Sequence, residues 1–188
     1  LERAVARAEN TARASPSAQE LSSSGRRLSF FLPNAVHLRY MDLETAGLMR
    51  RAGFEEVRLG YETADDASPA AGDKYRRAEV PRAVESLIMA GFPRRRIVLY
   101  ILAGLPGQKA AEVRKTIEKA SRFGVRLSVA EYSPVPGTSL WKESAEESSY
   151  PIEREPLFHN NTIFPTEWKD FTLDEMQELG RMAREASP

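Results

Sequence analysis

A carboxylate, a glycine turn that ends in an amide, and a few hydroxyls mark where this sequence could do chemistry. "LGYETAD" places Glu62 and Thr63 after one apolar run, and "YILAGLPGQ" places Gly104 and Gln108 after another. "VAEYSPVPGT" places Tyr132, Ser133 and Pro134 after a third run, and Asn34 follows a fourth in "FFLPNA". A carboxylate such as Glu62 accepts hydrogen bonds from a ribose or an ammonium group, or pairs with Arg58 or Lys74. The "GLPGQ" turn precedes a helical pattern. Its N–H groups either face a polar or anionic ligand at a positive helix end or simply close a tight strand-to-helix turn. It has neither the Gly-x-x-x-x-Gly-Lys-Ser/Thr spacing of a Walker loop nor the dinucleotide Gly-x-Gly-x-x-Gly. No pair among these residues makes an obvious acid and base.

Composition limits the partners. The 188 residues contain no cysteine, which excludes a disulfide, a thiolate nucleophile and a cysteine-ligated metal within this chain. His37 and His159 share no ligand spacing, so both read as loop or solvent residues. Lysine plus arginine equals aspartate plus glutamate at 27 each, leaving no overall field for nucleic acid or an anionic membrane. Arg94 to Arg96 read as a solvated loop on the side opposite the candidate residues. No apolar run approaches the roughly 18 residues of a membrane span, and no signal core opens the chain, so a soluble, cytoplasmic protein is expected. The opening "LERAVARAENTARA" on Leu1 predicts a surface helix and loop over residues 1–27 and suggests a piece of something longer.

The elements that must position the candidate residues alternate. "LSFFLPN" reads as a strand stopped by Pro-Asn, and Asp42 can cap a helix over "LETAGLMRRAG" with Met41, Leu48 and Ala52 on one side. "VRLGYET" is a second strand, and "AEVPRAVESLIMAG" a helix with Val80, Val84, Leu87 and Ile88 in one stripe. "IVLYILAG" is too continuously apolar to face water on either side, which predicts a parallel strand buried on both faces. "KAAEVRKTIEKASRFG" turns Val113, Ile117 and Ala120 inward, and "VRLSVAEYSP" is a fourth strand. Beyond Ser133 the pattern becomes irregular and proline-rich. It closes on a helix, "LDEMQELGRMAREA", with a Thr172 and Glu175 capping box and Leu173, Met176 and Met182 facing the sheet.

Strand starts at Leu28, Val57, Ile97 and Val125 are about 30 to 40 residues apart, the length of a strand, a crossover helix and a return. That rhythm predicts an α/β fold with parallel strands and right-handed crossovers, either half of an open sheet or a partial (β/α) barrel fragment of about four core strands. A complete barrel takes roughly 250 residues. In both architectures ligands lie at the carboxyl ends of the strands, where Asn34, Glu62, Gly104 to Gln108 and Tyr132 to Pro134 would line one mouth.

Taken together, "FFLPNAVHLRYMDLETAGLMRRAGF", "VRLGYETAD", "YILAGLPGQ" and "AEYSPVPGTSLW" resemble the radical S-adenosylmethionine (SAM) superfamily, especially its cobalamin-domain-associated and methylthiotransferase-like branches. The resemblance covers residues 28–141, with an irregular extension over 142–188. It implies the third to sixth strands of a partial barrel. Glu62 would lie near the ribose or methionine part of SAM, and Lys74 near the methionine carboxylate. Ile101, Gly104 and Gln108 would border the adenine, and Ser133 and Pro134 would form the sixth strand end. Asn34 and Tyr132 would stand on the substrate side. The family holds a [4Fe-4S] cluster on three cysteines and uses it to cleave SAM reductively to a 5′-deoxyadenosyl radical. This chain carries none of those cysteines, so the resemblance implies either the carboxyl-terminal part of an iron–sulfur enzyme, the favoured reading, or a degenerate member that lost the cluster; in both the chain is inert alone, with an unknown substrate. Two rival readings stand beside it: a non-catalytic α/β protein-interaction module, and a phosphate-ligand-binding barrel enzyme without iron. For a half-barrel, unpaired edges at Leu28 and Val125 predict either a homodimer or covering by the terminal helices.

Overall fold

The computed structural model describes residues 28–63, 79–159, 163–165, 167 and 171–188. The helix and loop expected over 1–27, and Lys74, lie outside the described residues. Strands β1 (Phe30–Phe31), β2 (Phe54–Glu62), β3 (Ile97–Ala103) and β4 (Arg126–Glu131) form one parallel sheet in the order β1-β2-β3-β4. Helices α1 (Leu43–Ala52), α2 (Glu79–Met89) and α3 (Ala110–Ser121) fall between successive strands. Sheet order equals chain order, so every crossover steps the same way. That is the winding of a barrel, whereas a doubly wound sheet reverses its order at a switch point. The fold is an α/β partial barrel.

Helix ends follow local chemistry. Asp42 caps α1 by accepting the Thr45 N–H at 2.8 Å, which also holds its carboxyl below the ordinary value. Gly53 ends that helix at φ 97°, and a β-carbon there would stand 2.6 Å from the Leu28 carbonyl oxygen, so both conformation and space require glycine. The buried stripe of α1 is Ala46 with half-buried Met49, while Leu48 and Ala52 face solvent. Met41, buried just before the helix, does not set its phase. From Ala46 the packed face continues at i+3, and Leu48 at i+2 is turned away.

Helices α2 and α3 bury Val80, Ala83, Val84 and Leu87, and Val113, Ile117 and Ala120, respectively, against β2 and β3. The final helix, α5 (Leu173–Glu185), has the expected reciprocal cap between Thr172 and Glu175. Its packed residues are Met176, Leu179 and Ala183. Leu173 is 41% exposed, because a first-turn side chain leans toward the helix N-terminus and away from that face.

Two further departures have clear causes. Only Phe30 and Phe31 of the expected first strand pair with β2, and both are exposed. Pro33 lacks an N–H and interrupts the ladder, which resumes only at a bridge between Val36 and Leu59. The segment after Ser133 is not wholly irregular. It contains α4 (Trp141–Glu147), whose polar sequence has no apolar period and whose one buried side chain, Ser144, bonds the Leu140 carbonyl.

Phe164, Phe171 and α5 join the same core as the strands. The Leu127 N–H of β4 donates to Ser187 Oγ at 2.9 Å, so this edge is covered by the chain's own C-terminal helix. No helix among the described residues is long and apolar enough to cross a membrane.

Candidate functional site

Strand alternation divides the side chains between two faces. Val57, Leu59, Ile97, Leu99, Ile101 and Ala103 lie in the core with the helices. The opposite face is the inside of the half-barrel. Register arranges it in rows: Arg58, Val98 and Arg126; above them Gly60, Tyr100 and Ser128; then Leu102 and Ala130 toward the strand ends.

Glu62 ends β2 in an unusual state. Register shifts between Gly60 and Glu62, and Glu62 has φ 57°, the left-handed region that a side chain other than glycine enters at a cost of about 1–3 kcal/mol. Its carboxylate folds toward Gly60: a β-carbon on that glycine would lie 3.7 Å from Glu62 Oε1. Arg58, one of the partners weighed for it, is engaged with Glu56 at 2.9 Å instead.

The Gly104 to Gln108 turn closes on itself. Gln108 is buried, and its Oε1 accepts the N–H groups of Gly104 (2.8 Å) and Leu105 (3.2 Å) while its Nε2 donates to the Leu102 carbonyl (3.2 Å). Two of the turn's donors, the Gly104 and Leu105 N–H groups, are therefore bonded to the turn's own amide, the Gln108 N–H donates to the Leu105 carbonyl at 3.0 Å, and Gln108 positions the turn. Gly104 supports it at φ 87°, where a side chain would be strained.

Other candidate residues are redistributed. Ile101 is fully buried on the helix side, and its neighbour Leu102, half-buried, occupies the inner face in its place. Simple alternation along β3 is the signal that separates the two. Asn34 sits exposed in the interruption at Pro33, below the mouth, and the end of that segment is Val36 and His37, whose Nδ1 accepts the Arg39 N–H. Tyr132 donates its N–H to the Ala103 carbonyl at 2.7 Å, which ties the ends of β3 and β4 together. Ser133 Oγ donates to the His159 carbonyl, and Pro134 is buried, so the segment after β4 folds back over this strand end. The His159 ring packs edge-on against Trp141 and meets the Ile152 carbonyl at 2.7 Å.

Below the mouth lies a charged cluster that sequence reading missed. Arg58 Nε donates to Glu56 Oε1 at 2.9 Å, Arg126 Nη1 donates to Glu56 Oε2 at 2.8 Å, and Arg58 Nη1 donates to the Tyr100 hydroxyl at 2.5 Å. Glu56 is 9% exposed in its side chain and holds both guanidinium groups. Its hydrogen bond raises the Arg58 pKa further above its usual value. At the end of β4, Glu131 has its carboxyl pushed up by burial. No group of three or more His, Cys, Asp or Glu among the described residues could hold a metal ion.

No family model and no curated protein matches the chain. Among solved structures, coproporphyrinogen III oxidase (HemN) from Escherichia coli, a radical SAM enzyme, matches 81% of this chain at TM-score 0.56 and 15% sequence identity. The likeness is one of fold. It extends over 31% of the oxidase, so the chain corresponds in length to less than a third of that protein. The radical S-adenosylmethionine methyltransferase TsrM from Kitasatospora setae, solved with cobalamin and a [4Fe-4S] cluster bound, overlaps 61% of this chain and 22% of its own at 18% identity. Its TM-score of 0.46 is too low to bear on a branch of the superfamily. The chain thus has the parallel half-barrel seen in a radical SAM enzyme.

Proposed function

We propose that residues 28–141 are the carboxyl-terminal part of a radical SAM barrel and form one wall of a SAM site at the strand ends. The observation that carries this reading is Glu62: a carboxylate held at positive φ by a strand irregularity, level with the next strand's Ile101 and just short of the Gly104 turn. Backbone strain of this kind persists where the surrounding structure enforces it, and it gathers at ligand sites. Glu62 would accept the ribose hydroxyls, Leu102 would offer the adenine an apolar contact, and Gly104 would let the base approach backbone. Gln108 and Tyr132 would act by fixing the strand ends, and Ser133 and Pro134 by anchoring the segment that follows them.

The chain does not fit a [4Fe-4S] cluster, since it supplies no cysteine. A cluster at this site would need thiolates from outside these 188 residues. On this reading the chain alone is a binding half-site without activity.

SAM titration of the chain by calorimetry tests the reading. Binding is expected, with Glu62→Gln weakening it by about tenfold, the value of one hydrogen bond to a charged group. Glu62→Gly should abolish it while raising stability by about 1 kcal/mol through relief of the left-handed backbone. A folded chain that gives no SAM heat, or a Glu62→Gln variant with unchanged affinity, would set the proposal aside.

A further inference from the structure

The inner face of the half-barrel carries polar capacity that the SAM reading does not use. Glu56, Arg58 and Arg126 together leave one positive charge in excess. Arg58 donates to the Tyr100 oxygen, so the hydroxyl's own proton is directed elsewhere, and no described residue accepts it. The second terminal nitrogens of Arg58 and Arg126 likewise donate to no described group. Above this floor Gly60, Ser128 and Ala130 are short, and Leu102 is the large apolar side chain in the row nearest the strand ends. A β-carbon added at Gly60 would meet only ordinary contacts, Glu62 Oε1 at 3.7 Å and Ala35 at 3.8 Å.

The geometry points to a site for one carboxylate group inside the half-barrel, held by Arg58, Arg126 and the Tyr100 hydroxyl. A single negative charge balances the excess, and planar guanidinium forks match a carboxylate's two oxygens. The row that starts the site, at Val98, lies four residues below Leu102, a rise of about 13 Å along the strand. A molecule anchored by its carboxylate at this depth would extend its body toward the strand ends. That the molecule is the enzyme's substrate rests on the proposed SAM site; the anion site itself does not. A purely structural network tying β2 to β4 would need Glu56 and the arginines but would gain nothing from the unused Tyr100 proton.

The test is an NMR titration of the whole chain at constant ionic strength with acetate, neutral acetamide and inorganic phosphate. Acetate should produce saturable shifts at the Arg58 and Arg126 Nε–H and Tyr100 ring resonances, acetamide none, and phosphate weaker ones. Tyr100→Phe, which keeps the ring, and Arg126→Gln should each weaken acetate about tenfold while the thermal melt stays cooperative. Unsaturable acetate shifts, an equal response to acetamide, tighter phosphate binding, or wild-type acetate affinity in the two variants would overturn the site. SAM titrated into the same sample separates the two proposals. Acetate binding without SAM binding removes the SAM wall alone, and SAM binding without acetate binding removes the carboxylate site alone.

Discussion

On the helix-facing side of the sheet, Val57, Leu59, Ile97, Leu99 and Ile101 are sealed from water by α1, α2, α3 and α5. On the other side the same three strands alternate to half-buried Arg58 and Tyr100 and exposed Arg126; Glu56 holds the two arginines, and Arg58 holds the Tyr100 hydroxyl. Val98 shares that second face and is nevertheless 2% exposed, since it stands in register between two arginines whose apolar stems can cover it. One face is therefore closed by packing and carries the stability. The other is covered by the arginines and by half-buried Tyr100 and Leu102, and is sealed less completely. A sheet with every face apolar would be a better core and a worse site.

The largest effect expected from this contrast is Leu99→Ala. Removing a fully buried side chain should cost about 2–5 kcal/mol in urea denaturation, whereas Arg126→Met on the opposite face should change stability by no more than about 1 kcal/mol. Equal costs for the two would erase the distinction between the faces.

Gln108→Ala comes next. It removes the acceptor that Gly104 and Leu105 share and the donor to Leu102, and should cost about 1–3 kcal/mol in the same assay. A neutral result would mean that the turn holds its shape without the amide, and the ligand reading of that amide would return.

The smallest effect belongs to Glu131, which pairs in register with core residue Ala103 at the margin of the packed face. Burial raises its folded-state pKa above the ordinary 4.5, so the native state holds the proton more tightly than the unfolded chain does. Its contribution is fully present below that ordinary value and is lost as pH rises through the folded one. Glu131→Gln should flatten this shallow fall in the urea midpoint, and an unchanged pH profile would count against burial as the cause.

Much of the architecture was legible because it is locally encoded. Glycines at helix ends, the Asp42 cap, the Thr172 and Glu175 box and the oily run of β3 each act within a few residues of chain, and each forms the element expected of it, although β3 is fully buried on its helix side only, with Tyr100 and Leu102 half-buried on the inner face. The pattern misleads where phase or pairing depends on a distant partner: spacing puts Leu48 on the packed side of α1, whereas it faces solvent, and Asn34 at the mouth, whereas it lies in an interruption below it.

The sequence by itself determined the parallel alternation, the ends of the second to fourth strands, and the absence of any cysteine thiolate. Tertiary structure alone decided which side chains share a row. Register between strands tens of residues apart sets Arg58, Val98 and Arg126 side by side and sends Leu102 rather than Ile101 to the inner face. It also holds Glu62 at positive φ and turns Gln108 back on its own loop. The physical reason is the range of the forces: capping and periodicity are settled within a turn of chain, whereas a row across a sheet exists only once separate strands have paired.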